Sequence, residues 1–156
     1  MEFIDLAPMR YQRDAHGLCV WRNRFIICVG SWHGPGLRTC EMYDTQDNVW
    51  WELPELNEGT CAPGLCIIND RLYKLGGTSD IGKIEMLDLN QRKGWVTVNT
   101  MNRYGRKNTI NRCLMHSMPP QVFERQEDEG KFLVIGCHFG RGEKPFEYDL
   151  LLNKYS

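Results

Sequence analysis

Three kinds of residue recur in step along this chain of 156 residues. A glycine closes an apolar run at Gly30, Gly76 and Gly136, at intervals of 46 and 60 residues. A Tyr or Leu precedes an aspartate at Tyr43-Asp44, Leu87-Asp88 and Tyr148-Asp149, at intervals of 44 and 61. A further aromatic follows at Trp50, Trp95 and Tyr155, at intervals of 45 and 60. Three independent markers in one register define a threefold internal repeat. Self-similarity at such a period is the signature of solenoids, propellers and arrays.

Each repeat is built from short strand-like runs. "GLCVW" (17–21), "RFIICVG" (24–30), "TCEMYD" (39–44) and "VWWEL" (49–53) are rich in β-branched and aromatic residues. Turn chemistry separates them, at Arg22-Asn23, "HGPG" and "TQDN". The four-beat rhythm returns at 64–68, 71–77, 83–89 and 94–98. In the third unit the strands are expected at 111–117, 131–137, 145–151 and the final "NKYS". The stretch "SMPPQVFERQEDEG" (117–130), acidic and proline-bearing, reads as an inserted loop that lengthens the second interval. No segment keeps a helical period, so the fold class is all-β.

Four strands, a Gly pair, then Tyr-Asp, then Trp resembles the kelch repeat, whose unit forms one blade of a β-propeller. The second unit carries Gly76-Gly77, Leu87-Asp88 and Trp95. The first has Gly30-Ser31, Tyr43 and Trp50, and the third Gly136-Cys137, Tyr148 and Tyr155. The resemblance implies a kelch-type propeller of about three four-stranded antiparallel blades. Repeat 1 spans about 10–55, repeat 2 about 56–100 and repeat 3 about 101–156, preceded by a partial outer strand at 3–9. Propellers have 4–8 blades, so the ring is incomplete in this chain. The rest is expected from the same gene product, a second copy or another chain, with a fragment of a longer propeller favoured because unpaired blade faces aggregate.

The glycines follow from the same reading, since a side chain after the second strand would obstruct the exit or a neighbouring backbone. "GGTSDIGKIEM" is no phosphate loop, because Ile rather than Ser or Thr follows Lys83 and a strand rather than a helix comes next. By resemblance the Tyr and Trp markers pack between blades, each burying ~150–250 Å².

Composition narrows the partners. A hydrophobic content of 42% supports one sizeable core. The formal net charge is −1, which gives no reason to expect nucleic acid or a membrane. The N-terminal "MEFIDLAPMR" has no signal-peptide character. Seven cysteines, an odd number, favour free thiols and a cytoplasmic or nuclear setting. Cys113 and His116 would diverge on a strand, and there is no Cys-x-x-Cys, so neither metal nor cofactor is expected. No G-x-S-x-G or comparable catalytic signature occurs.

The loops carry more information. By the propeller resemblance, the second-to-third-strand loops and the blade-to-blade loops share one face. Together they hold nine basic residues (Arg10, Arg13, Arg38, Lys83, Arg103, Arg106, Lys107, Arg141, Lys144) and four acidic ones, a net of +5. A non-catalytic protein-interaction module is therefore expected, binding a protein or peptide partner that is acidic or phosphorylated. The arginines offer bidentate carboxylate recognition. Trp32 and Tyr104 offer anchoring area, with His33 beside them. Resemblance implies a ubiquitin-ligase substrate receptor or a cytoskeletal or scaffold component. The alternative is an enzyme, such as a metal-dependent oxidase, with its site at the propeller axis.

Overall fold

A computed structural model describes residues 3–77 and 83–100 and, further along, four strands at Gln121–Glu124, Lys131–Ile135, Phe146–Asp149 and Lys154–Tyr155. The first blade is an antiparallel meander of β1 (Gly17–Trp21), β2 (Phe25–Val29), β3 (Cys40–Asp44) and β4 (Val49–Leu53). The second is β5 (Gly64–Ile68), β6 (Arg71–Leu75), β7 (Lys83–Asp88) and β8 (Val96–Thr100). The third is β9 (Gln121–Glu124), β10 (Lys131–Ile135), β11 (Phe146–Asp149) and β12 (Lys154–Tyr155). The innermost strands β5 and β9 run parallel and meet at one residue pair, Leu65 with Gln121. The architecture is all-β and propeller-like, and its sheets do not close into a ring.

Local chemistry sets the turns. Asn69 and Asp70 join β5 to β6 in two residues, both with positive φ (48° and 59°), the requirement of a tight primed hairpin turn. In blade 1 the connection is one residue longer, 22–24, and opens on the same left-handed pair, Arg22 and Asn23, each with φ of 51°. Asn and Asp tolerate this left-handed region better than most residues.

The third blade departs from the sequence reading. The strand paired with β10 is Gln121–Glu124, inside the stretch expected to be a loop. Its register sets Val122 opposite Val134 and Phe123 opposite Leu133. A Val-Phe pair between prolines and an acidic run is enough for a four-residue strand when an apolar partner strand waits beside it. The run 111–117, expected to be that strand, lies outside the described residues.

Blades 1 and 2 join through side chains. Alternation along β1–β4 turns Trp21, Ile27, Val29, Cys40, Met42 and Leu53 to one side, where they form a single buried cluster with Leu65, Leu72, Leu87 and Trp95 of blade 2. Fully burying one aliphatic side chain of this size contributes ~1.5–3 kcal/mol. Gly30 and Gly77 lie at this seam. A Cβ on Gly30, whose φ is +75°, would sit 2.4 Å from the Thr60 carbonyl oxygen. One on Gly77, at φ +108°, would sit 1.9 Å from the Thr60 hydroxyl. Both the backbone conformation and the close approach exclude a side chain.

On the turn side of the seam, Asp70 fastens the two blades. Its carboxylate accepts hydrogen bonds from Trp21 Nε1 (2.7 Å) and from Arg22 Nη2 (2.7 Å), while the Arg22 guanidinium lies 4.4 Å from the Trp21 ring centroid. The Arg22 hydrogen bonds first, and then that from Trp21, hold the Asp70 pKa down at about 2.

Candidate protein-binding face

Three loops converge on the face opposite those hairpin turns. Residues 7–15 lead into β1, residues 31–39 join β2 to β3, and residues 54–63 join blade 1 to blade 2. Backbone hydrogen bonds tie them together. The Ser31 amide donates to the Thr60 carbonyl (3.0 Å), Thr60 to Leu37 (2.9 Å), Leu56 to Arg38 (2.9 Å) and Trp32 to Asp14 (2.9 Å). The middle loop is stiffened by a short 3-10 turn, Gly34–Leu37, with Pro35 at its start.

Asp14 organises the crest of this face. Its carboxylate accepts from the Ser31 hydroxyl (3.1 Å) and from the Trp32 amide (3.2 Å), and lies 3.5 Å from His33 Nδ1. Trp32 is 57% exposed, held at its backbone with its indole in solvent. His33 is also exposed. Ser, Asp and His here do not form a hydrolytic relay, because the carboxylate stands between the other two groups; a relay requires His between Ser and Asp. A cleft of ≈ 670 Å³ opens beside the crest, between residues 9–14 and residues 33–35.

The basic rim is different from its sequence count. Arg13, expected as a partner contact, has no exposed side-chain area. It pairs with buried Glu41 at 2.7 Å and donates to the Gly30, Gly36 and Thr39 carbonyls. Its guanidinium fork thus pins the 31–39 loop to β3 and leaves nothing for a partner. Arg10 and Arg38 are exposed, but each faces a carboxylate. Arg10 bonds Glu52, and Arg38 lies 3.8 Å from Glu55. Lys83 bonds Glu58 at 2.7 Å. Glu52, on β4, and Glu55, at the head of the blade-to-blade loop, offset Arg10 and Arg38, so the described part of the face is close to charge-balanced. Arg103, Tyr104, Arg106 and Arg141 lie outside the described residues, as do Lys107, Lys144 and Gly136.

Of the repeat markers, Gly30 and Gly76-Gly77 directly follow β2 and β6, and Trp95 is buried at the blade seam. Tyr43 and Trp50 stack at 5.0 Å between centroids on the other side of blade 1, and Tyr148 pairs in register with Phe132 and Tyr155. His16, just before β1, was not singled out from sequence. Burial, and then the Arg13 charge, push its pKa down. Burial also raises the Cys19 and Cys40 thiols to about 12 and Cys28 to about 11, which leaves all three inert as nucleophiles at neutral pH. Among the described residues, no group of three His, Cys, Asp or Glu side chains could hold a metal ion.

No protein-family model matches the chain. Kelch-like protein 40 of Xenopus tropicalis is 33% identical over 76 residues, covering 49% of this chain and 12% of that protein. Kelch repeat and BTB domain-containing protein 2 of Cowpox virus (strain GRI-90 / Grishak) is 27% identical over 110 residues, covering 69% of this chain and 20% of that protein. The chain thus spans a fifth or less of the length of these relatives. Among solved structures, that of YjhT superposes with a TM-score of 0.60 at 16% identity, covering 83% of this chain and 35% of that one, which speaks to fold alone. The repeat pattern, the sequence relatives and the propeller-like architecture together support a kelch-repeat protein-interaction module.

Proposed function

We propose that this chain is the partner-binding part of a non-catalytic kelch protein, and that it engages an extended protein segment across the loop face. One observation carries this reading: Trp32 stands exposed on a crest whose backbone is fixed by Asp14 and the 3-10 turn. A large aromatic held in place before contact is the usual anchor of an interface, because little conformational entropy is lost when it is covered. His33 beside it, and Arg10 and Arg38 on the same set of loops, supply the polar contacts. An acidic or phosphorylated partner would engage Arg10 and Arg38 by displacing Glu52 and Glu55, an exchange of one charged hydrogen bond for another that favours specificity over affinity. Within this reading the chain serves a cytoplasmic substrate receptor for a ubiquitin ligase, or a scaffold or cytoskeletal component. The BTB domain in the name of the Cowpox virus relative leans toward the former.

A library of acidic peptides, each with and without phosphorylation, tests the proposal against the purified chain. Trp32→Ala is expected to weaken the best binder by about thirty-fold, in keeping with a hot-spot cost of ~2 kcal/mol. Arg10→Glu with Arg38→Glu should weaken it less, and Gln46→Ala, on the opposite side, not at all. Equal binding by Trp32→Ala and the parent would overturn the assignment.

A further inference from the structure

Blade 1 carries a pair of polar side chains on the loop face that blade 2 does without. The Ser31 hydroxyl donates to Asp14 Oδ1 at 3.1 Å. The repeat puts Gly77 and Cys61 at these two places. Ala15 and Ala62, which follow Asp14 and Cys61, share a positive φ (45° and 51°) and fix the alignment. Cys61 is 2% exposed, whereas the Asp14 side chain is 56% exposed. A blade therefore folds without a carboxylate at this position, and what Asp14 adds lies on the surface.

Its neighbours orient the carboxylate without neutralising it. Oδ1 accepts from both the Ser31 hydroxyl and the Trp32 amide. Oδ2 is left to solvent and to His33 Nδ1, which at 3.5 Å is farther than an ordinary N–H···O bond. The other formal charges of the three loops are matched. Arg13 is bound to Glu41 and Arg10 to Glu52, while Arg38 faces Glu55 and Glu58 binds Lys83. Among the described residues, Asp14 is the one charged group of these loops with no Lys or Arg partner, and the Trp32 indole stands exposed beside it. The charge this face offers without breaking an ion pair of its own is therefore negative.

We infer that Asp14 and Trp32 form a seat for one cationic side chain of the bound segment, an arginine. A guanidinium can donate to Oδ2 while its flat face lies on the indole, and both contacts favour Arg over Lys. This seat rests on the reading of the loop face as the binding surface, and adds the sign of its anchor. Acidic groups of a partner meet Arg10 and Arg38 only by displacing Glu52 and Glu55, whereas a cation meets Asp14 directly. The bound segment is thus mixed in charge, with the arginine at the crest.

Heptapeptide pools of acidic and apolar residues, fixed at the centre as Arg, citrulline or Glu, test the seat by fluorescence anisotropy against the purified chain. Citrulline keeps the shape of Arg and removes its charge. The Arg pool should bind at least about tenfold more tightly than the citrulline pool, and the Glu pool most weakly. Asp14→Asn retains an Oδ1 acceptor for Ser31 and Trp32. It should bring the Arg pool down to the level of the citrulline pool and leave the citrulline pool as in the parent. Arg and citrulline pools that bind alike, or a preference for Arg that survives Asp14→Asn, would overturn the seat. An equal loss of both pools in Asp14→Asn would overturn it too, since the aspartate would then only hold the crest. In each of these cases, binding that still depends on Trp32 leaves the binding face standing. Pools that bind Trp32→Ala as they bind the parent, or that bind neither, overturn the face and the seat together.

Discussion

Blades 1 and 2 bury the same carboxylate and neutralise it differently. Glu41 and Glu85 occupy equivalent positions on β3 and β7, both 2% exposed or less. In blade 1 the cation is Arg13, from the loop before β1, and the residue across the ladder from Glu41 is Cys28. In blade 2 the residue across the ladder is Lys74, which bonds Glu85 at 2.8 Å, and the residue at the Arg13 place is Thr60. The loop still contributes in blade 2, through Asn57 Nδ2 to Glu85 Oε1 at 3.0 Å. Blade 3 has no carboxylate there: Phe146 stands across from Val134. The repeat demands only that a buried charge be matched or absent, because an unmatched one is costly. It leaves open which element supplies the match. Low identity between repeats is therefore compatible with one shared electrostatic rule.

The comparison breaks most visibly at Arg13. Arg13→Met strands Glu41 and removes three carbonyl contacts, and should lower stability by ~3–5 kcal/mol in urea titration. Lys74→Met should cost less, because Asn57 continues to donate to Glu85. Adding Glu41→Leu to Arg13→Met should restore most of the loss; a double variant as unstable as the single one would show that the charge is not the cause. A graft sharpens the point. Arg13→Thr with Cys28→Lys copies the blade 2 arrangement into blade 1, and should be more stable than Arg13→Thr alone by ~1 kcal/mol or more. Recovery stays partial, since Lys cannot span the Gly30, Gly36 and Thr39 carbonyls as the guanidinium does.

The smallest effect lies on the opposite side of the seam and is read by pH. Asp70 is held below its ordinary 3.8, at about 2. A depressed carboxylate stabilises the fold above its unfolded pKa and loses that contribution as pH falls through the folded one. The urea midpoint should therefore decline between about pH 4 and pH 2. Asp70→Asn should flatten part of this decline and leave the part due to Asp44, which Arg24 also holds at about 2. An unchanged profile in Asp70→Asn would remove the aspartate from the blade clasp.

Much of this was legible in the sequence. The eight strands of blades 1 and 2 fall close to the apolar runs that announce them, because each run ends in turn residues with no alternative use. β9 was hidden because two apolar residues in an acidic, proline-bearing stretch carry no period; only the partner strand gives them one. Arg13 was misread for a related reason. Its acceptor Glu41 is 28 residues away, and nothing local distinguishes a buried arginine from an exposed one. The expected positive rim is offset by Glu52, on β4, and Glu55, at the head of the blade-to-blade loop, which pair with Arg10 and Arg38 across 42 and 17 residues that no local pattern links. Long-range pairing, rather than propensity, separates what could be read from what could not.

The single ladder pair between β5 and β9 has a consequence for how such chains change over generations. A hydrogen-bond ladder that crosses from blade to blade at no more than one residue pair leaves the blade as the unit of inheritance. Duplicating or deleting one shifts no register elsewhere, in contrast to a closed barrel, where every strand's alignment depends on the total count. What a new blade must match is a surface of side chains and a few loop amides. Such a surface can be acquired by copying a neighbour whole, and the cation that matches its buried carboxylate can sit on different elements, as Arg13 and Lys74 do.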